Sequence, residues 1–233
     1  MPGYYAFDWT YLVLVLPVVL LAFWAQINVQ TTYKKYAKIR LQNSMTAEEA
    51  ARMILDSHGL YGVRIERIAG QLTDHFDPSS NVLRLSESVY GSDSAAAVGV
   101  AAHEAGHAVQ YAEQYTPMKL RAAIIPVSRI GSQLAMPLFL LGLLFSFPSL
   151  CYAGIIFFAL AMLFQAVTLP VEFDASRRAL AALGDSDRFS DNELKASKKV
   201  LTAAALTYVA ALAVSLVQLL RLIIIAGGRN RKN

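Results

Sequence analysis

The chain has 233 residues, enough for one or two domains, of which 55% are hydrophobic and only 16% charged. With a mean hydropathy of +0.41, that balance excludes an ordinary soluble domain and points to membrane spans. The net charge of +4 is modest, and the basic residues sit beside apolar runs, as at the cytoplasmic flanks of spans rather than on a nucleic-acid surface. Cys151 is the single cysteine, so neither an internal disulfide nor a cysteine-based zinc site can form.

The predicted fold class is mainly α and integral to a membrane, with about four transmembrane helices and a small α+β cytoplasmic domain. Residues 1–30 form an N-terminal anchor, apolar from Tyr11 to Ala25 and onward to about Val29. Trp9, Tyr11 and Trp24 suit the two interfaces, and Pro17 predicts a kink. A signal peptide is the alternative, but no Lys or Arg precedes the run and no small-residue cleavage site follows it, which favours a retained anchor. Lys34, Lys35, Lys38 and Arg40 follow directly and mark the cytoplasmic side.

Residues 31–121 read as a water-facing domain. Thr46-Ala47-Glu48-Glu49 is a capping box, and Gly59 ends the helix that it starts. Tyr61 to Ile68 alternates as a half-buried strand does, Thr73 to Ser80 reads as a loop, and Val82 to Leu85 is a second short strand. A strand beside the next helix offers an edge on which a peptide can pair.

That helix carries Ala101-Ala102-His103-Glu104-Ala105-Gly106-His107, the H-E-x-x-H pattern. Residues four apart share a helix face, so His103 and His107 can aim imidazole nitrogens at one point, and neutral imidazole suits Zn²⁺. Glu104 falls beside that point, where it can take a proton from water, so the small α+β domain is predicted to be zincin-like and catalytic. Asp93 or Ser94 caps the helix, and Gly99 and Gly106 permit close backbone packing. The bland alternative, two histidines that merely pack, needs the whole pattern to arise by chance.

After the helix, Pro117 breaks the pattern, and Lys119, Arg121 and Arg129 suggest an interfacial segment. Residues 122–170 form a hairpin of two spans, Ile130 to Phe147 and Leu150 to Pro170, broken at Pro148-Ser149. Residues 171–199 return to the cytoplasmic side, with Ser190-Asp191-Asn192-Glu193 as a second capping box. Residues 200–233 hold a fourth span and the tail Arg229-Asn230-Arg231-Lys232, which an even number of spans leaves outside, against the positive-inside tendency.

A catalytic zinc needs a third protein ligand and an open position. Candidates are His58, His75, Glu113, Glu172 and Asp174. The hairpin favours Glu172, because the third span returns Val171-Glu172-Phe173-Asp174 to the face that carries the histidines. Glu113 points away around the helix, and His58 reads as a helix-end histidine. His75 can line the cleft and bind a transition-state oxyanion, or serve as a hydrogen-bonded loop residue. Arg177 and Arg178 read as membrane-flanking rather than substrate-binding.

Gly99 to Ala108, with Leu72-Thr73-Asp74-His75-Phe76-Asp77-Pro78, resembles the YugP-type bacterial membrane zinc metallopeptidases. Glu172 to Ala179 and Lys199 to Tyr208 extend the likeness over nearly the whole chain. The group is similar in plan to HtpX-like and CAAX-processing membrane peptidases, in which a glutamate of a Glu-x-x-Ala-Asp stretch is the third zinc ligand. The resemblance implies Glu172 as that ligand and Ala175 as the small residue. Ser176 stands where the aspartate that supports a zinc-binding histidine falls, and Ser176, Asp174 or Asp74 is left to take its part. It also implies a Zn²⁺ endopeptidase of the bacterial cell membrane acting on peptide or membrane-protein substrates, with the lipid bilayer as partner and no nucleic acid. A non-catalytic, zinc-stabilised adaptor or chaperone is the rival, but a structural zinc needs no base such as Glu104. A transporter, which would want ionisable residues deep within spans, ranks last, since the spans hold Gln165 and Gln218 there and Arg221 only near an end.

Overall fold

The computed structural model describes residues 10–230, without the side chains of Arg229 and Asn230, and four of its helices are long and apolar enough to cross a membrane. A π-helical stretch, Tyr11–Val15, leads into α1 (Leu16–Tyr36). It ends just before Pro17, whose missing N–H disturbs the regular ladder. The other three are α4 (Thr116–Leu144), α5 (Pro148–Asp185) and α6 (Asp191–Asn230). Between α1 and α4 lie α2 (Ala47–Ser57), β1 (Arg64–Ile68), β2 (His75–Asp77), β3 (Val82–Ser86) and α3 (Ala95–Ala112). The Trp9 interface position and residues 231–233 of the basic tail lie outside the described residues.

Several boundaries differ from the sequence expectation. Pro117 does not break a helix; it is the second residue of α4, where a missing N–H costs nothing, and Lys119, Arg121 and Arg129 lie within that helix. Pro170 likewise sits inside α5, which continues unbroken to Asp185. Residues 73–80 are not all loop, because His75–Asp77 form a strand. The expected strand pair is therefore a three-stranded sheet of order β1-β3-β2, with β1 parallel and β2 antiparallel to β3.

The chain divides into two compact units. In the first (among the described residues, 10–25, 121–167 and 207–230), small residues let helices approach closely. A Cβ on Gly142 would lie 2.6 Å from the Cys151 nitrogen, and one on Gly154 would lie 2.6 Å from the Ala135 carbonyl oxygen. Gln165 of α5 accepts a hydrogen bond from Ser215 of α6 at 2.9 Å.

The second unit comprises residues 26–120 and 168–206. Its core joins Ile54 and Leu55 of α2, Leu83 and Leu85 of β3, Val98 and Val109 of α3, and Leu183 of α5, all nearly or wholly buried. Each such side chain contributes about 1.5–3 kcal/mol through burial. Thr46 caps α2 in a complete capping box, with its side chain accepting from the Glu49 amide and the Glu49 carboxylate accepting from the Thr46 amide. Ser94, rather than Asp93, caps α3 by accepting from the Ala97 amide; Asp93 pairs with Arg40. At the start of α6, Glu193 accepts from both the amide and the hydroxyl of Ser190, and its other oxygen takes the Gln42 amide at 2.7 Å. These caps and the buried helix α3 give the second unit a rigid interior on which the polar residues below are mounted.

Candidate metal centre

α3 is buried along most of its length, and its alanines and glycines let other helices press against it. A Cβ on Gly106 would lie 2.7 Å from the Ala175 carbonyl oxygen of α5, and one on Gly99 would lie 3.0 Å from Ser197 Cβ of α6. The approach at Gly106 brings α5 against the turn of α3 that carries both histidines.

His103, His107 and Glu172 meet there, with their ligand atoms all within 4.8 Å of one another. Glu172 Oε2 lies 3.3 Å from His103 Nε2 and 3.7 Å from His107 Nε2. Donors held at zinc-ligand distances around a tetrahedral ion are separated by roughly 3.3–3.4 Å. Two imidazole nitrogens, one carboxylate oxygen and their spacing thus fit Zn²⁺. Burial disfavours the charged form of His107, but the Glu172 and Glu104 carboxylates outweigh it and raise its pKa above the ordinary value.

Each histidine is held through its other nitrogen. His103 Nδ1 lies 3.0 Å from Ser176 Oγ, one turn after Glu172 on α5. Ser176 thus takes the place that the resemblance gives to an aspartate. His107 Nδ1 lies 3.0 Å from Oε1 of the fully buried Gln110. Gln110 Nε2 in turn donates to the Val171 carbonyl and to Asp174 Oδ2, both at 2.9 Å. Asp174 also accepts from Arg177 and, at 2.6 Å, from Arg178 Nε, while Arg178 Nη1 reaches Glu113 at 2.6 Å. Asp174 is therefore joined to His107 through Gln110, whereas Asp74 is engaged elsewhere, by the amide and hydroxyl of Ser86. Burial pushes the Asp74 carboxyl up, against the opposing pull of the Ser86 bonds.

Glu104 is nearly buried and stays out of the metal cluster; its Oε2 accepts the Phe76 amide of β2 at 3.1 Å. In antiparallel pairing, one residue's N–H and C=O point to the same side. The Phe76 amide therefore leaves β2 on the side away from β3 and toward α3. His75 is exposed, with Nδ1 2.9 Å from the Thr73 carbonyl, and is not a member of the triad. His58 caps α2 and contacts the Ile54 carbonyl at 2.9 Å; Glu113 caps α3 and faces Arg178.

Gln110, Arg178 and the Phe76 amide are absent from the sequence-based site. The visible signal for Gln110 is its place three residues after His107, as a polar residue in an otherwise apolar helical stretch. Nothing in the sequence marks the Phe76 amide, because a backbone group has no residue type.

Comparison with known proteins gives a family and a relative. Residues 11–227 match the family described as "Putative neutral zinc metallopeptidase". The protein named "Putative membrane protease YugP" from Bacillus subtilis (strain 168) is 48% identical over 205 residues, covering 88% of this chain and 91% of the relative. No solved structure matches the chain.

Proposed function

The chain belongs to this family of neutral zinc metallopeptidases, and from that membership and the site geometry we propose that it is a membrane-embedded zinc endopeptidase hydrolysing peptide or membrane-protein substrates at the cytoplasmic face. The observation that carries the reading is the convergence of His103, His107 and Glu172 on one point, with Glu104 beside it. His103, His107 and Glu172 would hold Zn²⁺, which would supply Lewis acidity toward water and a scissile carbonyl when bound.

The remaining chemistry belongs to side chains. Glu104 takes the proton of the attacking water and passes it to the leaving amine. The Phe76 amide holds its Oε2 and so orients the carboxylate before substrate arrives. His75 is the candidate for polarising the carbonyl oxygen. Its Nδ1 faces a carbonyl oxygen, so Nδ1 carries the hydrogen and Nε2 can donate only when the ring is doubly protonated. The zincin-like character rests on the H-E-x-x-H helix beside a strand whose outer edge faces Glu104. Orientation toward the cytoplasm rests on Lys34, Lys35, Lys38 and Arg40 after the first span and on the basic residues of 177–199 after the third.

Glu104→Gln tests the reading. Purified in detergent, the variant is expected to keep its zinc and lose about 10²–10⁴-fold in hydrolysis. Membranes of cells carrying it are expected to accumulate uncleaved substrates, identified by proteomics. Undiminished cleavage, or loss of the metal, overturns the role of Glu104.

A further inference from the structure

We infer that Gln110 is a positioning residue that sets the tautomer of His107 and ties it to the turn of α5 carrying Glu172. The inference rests on the zinc reading above and adds a residue to it. The orientation of the Gln110 amide decides the chemistry. Its nitrogen faces two acceptors, the Val171 carbonyl and Asp174 Oδ2, each at 2.9 Å. Flipping the amide would set its oxygen against both, so the nitrogen belongs there. The oxygen then faces His107 Nδ1 at 3.0 Å and can only accept. His107 therefore carries a hydrogen on Nδ1, and its neutral ring has the Nε2 lone pair free for the metal point.

The same amide makes a second link. Val171 directly precedes Glu172, and its carbonyl is one of the two acceptors. One buried side chain thus joins a ligand on α3 to the residue next to a ligand on α5. Asp174, only 6% exposed, backs the amide nitrogen and is itself held by Arg177 and Arg178. Ser176 places no such constraint on His103, because a hydroxyl can donate or accept and can rotate between the two. Of the two histidines, His107 is the one whose hydrogen is assigned by its partner.

The test uses the full chain in detergent and reads zinc affinity by competition with a chelator, alongside thermal unfolding of the metal-free protein. Gln110→Leu removes both links and is expected to weaken zinc binding by about 10–100-fold. Gln110→Glu keeps an acceptor for His107 Nδ1 and loses the donor to Val171 and Asp174. It is expected to stay within about threefold of wild type in zinc affinity while lowering metal-free thermal stability, because two carboxylates then face each other. That rescue separates tautomer control from packing, which both substitutions disturb. Wild-type affinity in Gln110→Leu overturns the inference, as does an equal loss of affinity in Gln110→Glu when its metal-free fold is intact. Failure of the wild-type chain to bind zinc overturns the metal reading itself, a distinct result.

Discussion

Ser176 stands with its Oγ 3.0 Å from Nδ1 of His103, one helical turn beyond Glu172 on the same face of α5. A hydroxyl there holds the ring without adding charge, unlike the aspartate implied by the resemblance to related membrane peptidases. Ser176→Ala is expected to lower zinc affinity by about 10-fold, at the mild end for a residue that supports a metal-binding histidine. Ser176→Asp is expected to restore or raise it, since a carboxylate makes the imidazole a better donor. Chelator competition on both variants checks this. Unchanged affinity in Ser176→Ala removes any role for the contact.

Gly106 sits where α3 meets the backbone of α5. A methyl group there would lie 2.7 Å from the Ala175 carbonyl oxygen, so one helix must move. Gly106→Ala is expected to destabilise the protein by about 1–3 kcal/mol, the usual range for forced overpacking. Because the shift separates the histidines from Glu172, zinc content should fall in the same variant. Gly59, with φ +72 and nothing within 4 Å of its Cβ position, is the control. There, alanine should cost backbone strain but leave the metal in place. Thermal unfolding and metal analysis of the two variants decide between them.

How much of this was legible beforehand depends on the range of each interaction. The H-E-x-x-H pair and the Thr46–Glu49 capping box are separated by three or four residues, so helical geometry alone brings their members together. The meeting of Glu172 with the two histidines was legible one level higher, through the hairpin that returns the chain. β2 was not, because three residues flanked by Asp74 and Pro78 are too short for an alternating pattern to emerge. Gln110 acquires its meaning only when α5 supplies Val171 and Asp174, contacts more than 60 residues away in sequence. The two partners of Arg178 divide in the same way: Asp174 is four residues away within α5, whereas Glu113, at the end of α3, is 65 residues away and meets it only in the fold.

The pH dependence follows from His107. Burial works against its charge, yet Glu172 and Glu104 raise its pKa above the ordinary 6.5 in the metal-free protein. A raised folded-state pKa contributes stability that is fully present below the unfolded value and is lost as pH rises through the folded one. Zinc requires the neutral ring, so proton and metal compete for the same group. The metal-free protein should therefore lose stability above about pH 6.5, while the stabilisation added by zinc grows over the same range. Thermal unfolding with and without zinc between roughly pH 6 and pH 9 measures both slopes. A zinc-dependent shift that is flat across that range contradicts the competition.

Glu172 carries the greatest consequence for the site. Two histidines alone leave zinc short of protein ligands, and among the described residues Glu172 is the group that completes a triad with them. It is 3% exposed, and its Oε2 lies 3.3 Å and 3.7 Å from the two Nε2 atoms, so its removal leaves the buried His107 and the half-buried His103 without their common partner. Glu172→Ala is expected to lose zinc and activity together. Glu172→Asp should also be poor, because its shorter side chain draws the oxygen back toward α5 from the point where the imidazoles converge. Asp174→Ala should be milder, at most about 10–100-fold in metal affinity, since Asp174 reaches His107 only through Gln110. Metal analysis of the detergent-purified variants separates the two roles. Full zinc occupancy in Glu172→Ala, with loss in Asp174→Ala or His75→Ala, would move the ligand to another residue and leave the close approach of α5 to the histidines without a metal to explain it.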